Sequence, residues 1–259
     1  MRSISGAIRI EAVSKLYRDS ATSAVLALDD IDLDIPSNSF VSLLGPSGCG
    51  KSTLLKLIAG IESPSNGTVS CGDKRVGGIN TGLAYVPQGR GLFPWMTLLA
   101  NVEFPLKIAK VPAAERGRRA LEWIERVGLG GFEQKFPRQL SGGMEKRGSL
   151  ARALVADKPI LLMDEPFGPL DAHTRVTLQQ QLTQLWEEVK HTVVFVTHDV
   201  IEAIALSDLV VVMSPRPGRI VEVVEVTLPR PRNVLTVPDR EGFVKLHSHL
   251  QHLLFGEVL

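Results

Sequence analysis

The run Gly45-Pro46-Ser47-Gly48-Cys49-Gly50-Lys51-Ser52-Thr53 has the residue types and spacing that handle phosphate. It fits G-x-x-x-x-G-K-[ST] at every fixed position. Glycines let backbone N–H groups curl around phosphate oxygens, Lys51 can reach the β- and γ-phosphates, and the Ser52 hydroxyl can ligate Mg2+. A second glycine-rich stretch, Leu140-Ser141-Gly142-Gly143-Met144, also opens a predicted helix. Helix starts attract anions, because their first N–H groups lack intrahelical partners and the macrodipole is positive there.

Four further residues complete a hydrolytic set. The apolar run 160–163 ends in Asp164 and Glu165. Asp164 suits a Mg2+ site, directly or through water, and Glu165 suits a general base that polarises an attacking water. His198 follows the apolar run 193–196, which would deliver it to the same sheet edge as the two acids, in reach of a γ-phosphate. Gln88 follows a short strand over 83–87, and its neutral amide can touch Mg2+ or the attacking water. Tyr17, one of two tyrosines, lies after the first predicted strand and offers a face on which adenine can stack.

The elements that must position these groups are legible. Residues 8–13 and 31–35 alternate apolar with polar, as half-buried antiparallel strands do. Phe40–Leu44 is a continuous apolar run entering the glycine loop, and a helix follows through Leu54, Leu55, Leu57 and Ile58 to about Gly60. Residues 63–67 form a turn cluster and 68–71 another strand. Residues 90–94 read as loop. An amphipathic helix runs over 113–127, and another begins at Ser141 and continues through Leu154. Strand character returns at 160–163, 192–196 and Leu209–Met213, with a helix marked by Leu178, Leu182, Leu185, Trp186 and Val189. The expectation is an α/β fold: a largely parallel phosphate-loop nucleoside-triphosphatase core, an N-terminal antiparallel β subdomain and an inserted helical subdomain over about 89–159. One ATPase domain would span 1–230, and 231–259 would be a short tail with a helix.

With 44% hydrophobic and 22% charged residues, the 259-residue chain reads as globular rather than disordered. Its net charge of +1 supplies no global field for nucleic acid, and no nucleic-acid partner is expected. No apolar run approaches the roughly 20 residues that span a bilayer, and no signal-peptide core follows Met1-Arg2-Ser3. A soluble, unexported subunit is expected, with membrane association through a partner. Cys49 and Cys71 match no metal spacing, and a bridge at Cys49 would obstruct the loop. His247, His249 and His252 lack the i,i+4 spacing of a helical zinc pair at 247/249 or 249/252, and a packing or solvated role is expected.

Together, in this order, these residues resemble the ATP-binding subunit of an ATP-binding-cassette (ABC) transporter over nearly the whole chain. Gly45–Thr53 resembles Walker A, residues 160–165 Walker B, Leu140–Met144 the signature motif, Gln88 the Q-loop and residues 168–171 the D-loop. His198 resembles the switch histidine and Tyr17 the adenine-stacking aromatic. Pro87-Gln88, residues 92–95, residues 164–168 and residues 214–220 are similar to nitrate/sulfonate/taurine-type importer ATPases. The resemblance implies ATP and Mg2+, a head-to-tail dimer or paired ATPase subunit, inner-membrane permease subunits and an extracytoplasmic solute-binding protein. It implies a location on the cytoplasmic face of the membrane. Ser141, Gly142 and Gly143 would then hold ATP bound to the other copy. An exporter or lipid-trafficking ATPase shares the same engine, and non-transport ABC ATPases carry long coiled-coil insertions or tandem cassettes. Departures from the pattern are Glu145 and Lys146 where two glutamines are usual, Gly148 inside a helix at about 1 kcal/mol relative to Ala, and Pro169 where Ala is common.

Overall fold

The computed structural model describes residues 6–18, 24–89, 91–168 and 170–256. Pro169 and Arg90, singled out above, lie outside these residues. Two sheets share the core. The first is antiparallel, formed by β1 (Ile8–Arg18), β2 (Ala24–Ile35), β4 (Asn66–Cys71) and β5 (Lys74–Arg75) in the order β2-β1-β4-β5. Both long strands exceed the expected 8–13 and 31–35. Positive φ at Ala12 and Asp30 accompanies breaks in the β1–β2 register, and these interrupt the alternation that marks a strand in sequence.

The second sheet has six strands: β3 (Phe40–Leu44), β6 (Leu83–Val86), β7 (Ile160–Asp164), β8 (Thr192–Thr197), β9 (Leu209–Met213) and β10 (Ile220–Glu225). Their order is β10-β9-β3-β8-β7-β6, with every pairing parallel except that of the edge strand β10. β3, β7 and β8 are buried at every residue, which fits their unbroken apolar sequences. Parallel pairing sends the carboxyl ends of β3, β6, β7 and β8 to one edge. Leu44 pairs with Thr197, Asp164 with Val196, and Val86 with Met163.

α1 (Lys51–Ile58) follows β3 and buries Leu54, Leu55, Leu57 and Ile58 between the sheets. Three helices occupy the inserted region: α2 (Leu98–Ile108), α3 (Ala113–Arg126) and α4 (Gly142–Leu154). They enclose their own core of Leu98, Val102, Leu106, Ala120, Ile124, Leu129 and Ala151. Gly148 makes this packing possible: a Cβ there would stand 2.7 Å from Leu98 Cδ1 and 3.1 Å from Leu92 Cδ1. The propensity lost is offset by close approach of α4 to the start of α2.

α5 (Ala172–Val189) and α6 (Val200–Leu206) cover the parallel sheet, and α7 (Phe243–Phe255) packs on α6 and β9. In α7, His247 stacks on Phe243 and His249 Nε2 lies 2.9 Å from Glu222 Oε1. Cys49 and Cys71 are free and buried, and burial pushes the Cys71 thiol up to about 11. Among the described residues no helix is long and apolar enough to cross a membrane.

Candidate functional site

The ends of β3, β6 and β7 converge on one cleft of about 350 Å3. Ser47, Gly48, Gly50, Lys51, Ser52 and Thr53 line it from the glycine loop and α1. Gln88 enters from the end of β6, Glu165 from the end of β7, and Tyr17 and Val25 from the antiparallel hairpin. Tyr17 lies within β1, paired with Val25, rather than after the strand.

The local geometry follows from residue type. Gly50 takes φ 102° as the residue preceding α1, and a Cβ there would lie 2.6 Å from Leu28 Cδ2. No side chain caps α1, so its first N–H groups remain for an anion. Lys51 is 5% exposed and folds back on its own loop, donating to Gly45 O at 2.6 Å and Pro46 O at 2.9 Å. The Cys49 side chain does not line the cleft but packs in the core, with Sγ 3.7 Å from Lys51 Nζ. Its backbone alone is available to phosphate. Gly45 and Pro46 likewise support the loop from beneath, through the carbonyls that hold Lys51.

Ser52 Oγ donates to Asp164 Oδ1 at 2.8 Å, so two hard oxygen donors from α1 and β7 already meet. This pair suits Mg2+, which takes few protein ligands and keeps waters and phosphate oxygens. Tyr85 OH lies 3.4 Å from Asp164 Oδ2; burial first, and then the Asp164 charge, push the Tyr85 hydroxyl above its usual range. The hydroxyl therefore stays protonated beside the carboxylate.

Glu165 is the hub of the remaining contacts. Gln88 Nε2 donates to its Oε2 at 2.9 Å, and His198 Nδ1 lies 3.6 Å from its Oε1. His198 is exposed, in an adjoining cleft that also contains Glu165, Arg175 and Glu202. Beneath it, Thr197 Oγ1 and Gln179 Nε2 both hydrogen-bond Glu202, whose carboxyl is raised by burial. Asp199 caps α6 by accepting from Glu202 N, which fixes the turn that presents His198.

Tyr17 carries Lys15 Nζ 4.9 Å from its ring centroid, and Lys15 pairs with Glu62 at 2.9 Å. Burial raises the Tyr17 hydroxyl, with hydrogen bonds to Thr53 and Glu62 in opposing senses.

The second glycine-rich helix start lies elsewhere. Ser141 caps α4, its Oγ accepting from Met144 N at 3.3 Å, and Ser141 and Gly142 are exposed. None of Ser141, Gly142 and Gly143 lines the cleft around Lys51; Gly142 instead shares one with Gln88, Glu145 and Lys146. Glu145 lines that second cleft, and its buried Oε1 has no hydrogen-bond partner among the described residues.

Two residues escaped the sequence reading. Arg216 lines the Lys51 cleft from the loop between β9 and β10. That loop is pinned to β2 by Gly218 N to Ala27 O and Asp29 N to Gly218 O, both 3.0 Å, and by the Arg219–Asp29 ion pair. The Ser-Pro-Arg-Pro-Gly-Arg stretch was visible, but not its return to the glycine loop. Lys146 was visible as a departure, and its contacts are taken up below.

A parallel sheet that delivers a Lys-Ser glycine loop from one strand and adjacent carboxylates from the next strand but one defines a phosphate-loop nucleoside triphosphatase. Residues 28–168 match the family model described as ABC transporter. The chain is 44% identical to an uncharacterized ABC transporter ATP-binding protein of Methanocaldococcus jannaschii, over 97% of this chain and 92% of that one. It is 42% identical to the aliphatic sulfonates import ATP-binding protein SsuB of Bacillus cereus, over 97% of this chain and 98% of that one. Among solved structures, a bacterial ABC transporter cassette in dimeric form superposes with a TM-score of 0.77 at 34% identity, covering 86% of this chain and all of the other. The same cassette bound to ADP and Pi, in a post-hydrolysis dimer, gives 0.77 at 32% identity. The chain belongs to the ABC transporter ATP-binding family, and its activity is ATP hydrolysis coupled to transport.

Proposed function

We propose that the chain is the ATPase subunit of an ABC importer for a small anionic solute of the nitrate/sulfonate/taurine class, working as a dimer in which each ATP lies between two copies. The observation that carries the hydrolytic part is Glu165, held between Gln88 and His198 beside the Ser52–Asp164 pair. Glu165 Oε1 and Oε2 are the acceptors that take a proton from water attacking the γ-phosphorus. Gln88 orients that water, and His198 donates to the γ-phosphate. Lys51 leaves the Gly45 and Pro46 carbonyls for the β- and γ-phosphates. Ser52 and Asp164 would hold Mg2+, which supplies charge neutralisation between the phosphates. The free face of Tyr17 receives adenine, and Arg216 closes the cleft mouth with a guanidinium that has no ion-pair partner among the described residues.

The dimer is supported by the exposure of Ser141 and Gly142 and by their separation from their own chain's nucleotide cleft. Ser141 Oγ already accepts from Met144 N, which leaves its O–H free to donate to a phosphate oxygen. A permease-facing surface is supported by Trp95, 70% exposed and stacked on Phe93 at 5.4 Å. Buried Asn101 holds this loop rigidly: its Oδ1 accepts from Phe93 N, and its Nδ2 donates to Phe93 O, Met96 O and Thr97 O. Membrane attachment is thus peripheral, at the cytoplasmic face, through permease subunits. An extracytoplasmic binding protein would select the solute. Import of a sulfonate-like anion is supported by the 42% identity to SsuB across both chains.

Glu165→Gln tests the dimer and the base together. With ATP and Mg2+ the variant elutes as a dimer in size exclusion and hydrolyses little; a monomer under those conditions contradicts the two-copy site. Uptake of radiolabelled taurine or an alkanesulfonate by the reconstituted transporter tests the solute class, and uptake of neither overturns it.

A further inference from the structure

Lys146 is 5% exposed, and its ammonium meets no carboxylate at ion-pair distance among the described residues. Instead Nζ donates to three successive carbonyls: Pro87 O at 2.8 Å, Gln88 O at 2.9 Å and Gly89 O at 3.2 Å. An ammonium has three donors and no acceptor, so the site is matched in number. Bonds from a charged donor are the stronger kind, and they compensate the removal of the charge from water. Burial pulls the lysine below its ordinary value, while the charges of Asp164 and Glu145 act the other way.

The two partners of this clamp belong to different parts of the molecule. Lys146 sits on α4, the helix that starts at Gly142 in the inserted subdomain. Residues 87–89 leave the end of β6 in the core sheet. From the same loop the Gln88 side chain reaches Glu165 at 2.9 Å. An unbroken chain of contacts therefore runs from the Ser141–Gly143 helix start, along α4, through Lys146 to the Gln88 backbone, and on to Glu165.

We infer that Lys146 is a positioning residue: it makes the Gln88 loop travel with α4, so that the Gln88 amide meets Glu165 only when the helix bearing Ser141 is docked. Lys146 touches no nucleotide in this role and acts through Gln88. The inference rests on the assignment of Gln88 to hydrolysis. The neighbouring Glu145 lines the same cleft, and its charge favours the protonated lysine.

The test uses the full-length chain, three single variants and one double variant. Lys146→Met keeps the side-chain length but donates nothing; Lys146→Gln retains two N–H donors and is the milder change. Gln88→Ala removes the amide through which the clamp would act. The expected result for Lys146→Met is a kcat lowered roughly tenfold with the ATP KM within about twofold of wild type. Lys146→Gln recovers most of that loss. The double variant Lys146→Met/Gln88→Ala turns over no more than about twofold below the worse single variant, because both changes break one path. Hydrogen exchange supplies a readout that a generally destabilised helix would not give. The peptide containing residues 86–91 exchanges at least about fivefold faster in Lys146→Met, with the body of α4 unchanged.

Wild-type kcat in Lys146→Met, losses that add in the double variant, or unchanged exchange over 86–91 each overturn the inference. If Lys146→Met does not fold, Lys146→Ala, which also donates nothing, takes its place, and unchanged exchange over 86–91 in that variant overturns the inference. Wild-type turnover in Gln88→Ala overturns the assignment of Gln88 and with it the positioning role, while the exchange data still read the clamp by itself.

Discussion

The two glycine-rich helix starts have the same chemistry and opposite settings. At the first, Gly50 turns the chain into α1 without a side-chain cap, and Lys51 is buried against the carbonyls of its own loop. The cleft it faces is lined by Glu165, Ser52 and Tyr17 of the same chain, with Asp164 hydrogen-bonded to Ser52. At the second, Ser141 caps α4 and faces outward beside Gly142, with open space where a Gly142 Cβ would project. In the proposed dimer, burial would mark the start that works within its own chain, and exposure the one that serves the other copy. Two lysines repeat the contrast. Lys51 holds its own loop, whereas Lys146 holds a loop from another element.

Variants at the two starts should therefore fail differently. The largest effect is expected from Glu165→Gln, which lowers kcat by at least about a hundredfold while ATP binding persists, read by steady-state turnover and calorimetry. Lys51→Ala should follow, losing at least about tenfold in ATP affinity through removal of a charge-assisted contact; unchanged affinity breaks the account of the first start. Gly142→Asp is the sharpest discriminator. The site has room for the side chain, and a carboxylate at the first turn suits a helix N-terminus, so the fold and single-copy ATP affinity should hold within about twofold. Turnover should nonetheless drop by roughly thirtyfold or more, because the carboxylate repels a γ-phosphate presented by the other copy. Smallest is Arg216→Ala, for which the ATP KM should rise about two- to fivefold with kcat nearly unchanged, as expected for a contact made equally in ground and transition states.

The site was largely legible because its residues terminate strands. Apolar runs ending in Asp164-Glu165, in Thr197-His198 and in Pro87-Gln88 can be read locally, and parallel pairing does the rest. What was not legible depends on packing across sequence. The side chain of Cys49 looks identical in sequence to its loop neighbours, yet it turns into the core. Arg216 reaches the cleft only because its loop pairs with β2 far earlier in the chain. α6 had a signal that could have found it: Asp199 followed three residues later by Glu202, with the Asp side chain capping the helix. α2 carries Pro105 near its end, which argued against a helix there. Gly148 looked like a helix weakness and is a contact with Leu98.

The central claim is that the two helix starts complete one site only across two copies. Mixing Lys51→Ala with Gly142→Asp tests it most directly. At an ATP concentration well below the wild-type KM each variant alone should turn over at least about tenfold slower than wild type, but their heterodimer contains one site with an intact Lys51 from one copy and an intact Gly142 from the other. The account predicts that equal mixing restores ATPase activity, to about a quarter of wild type when subunits pair at random. Failure of the mixture to exceed either variant alone, with heterodimers demonstrated by affinity tags, would contradict it.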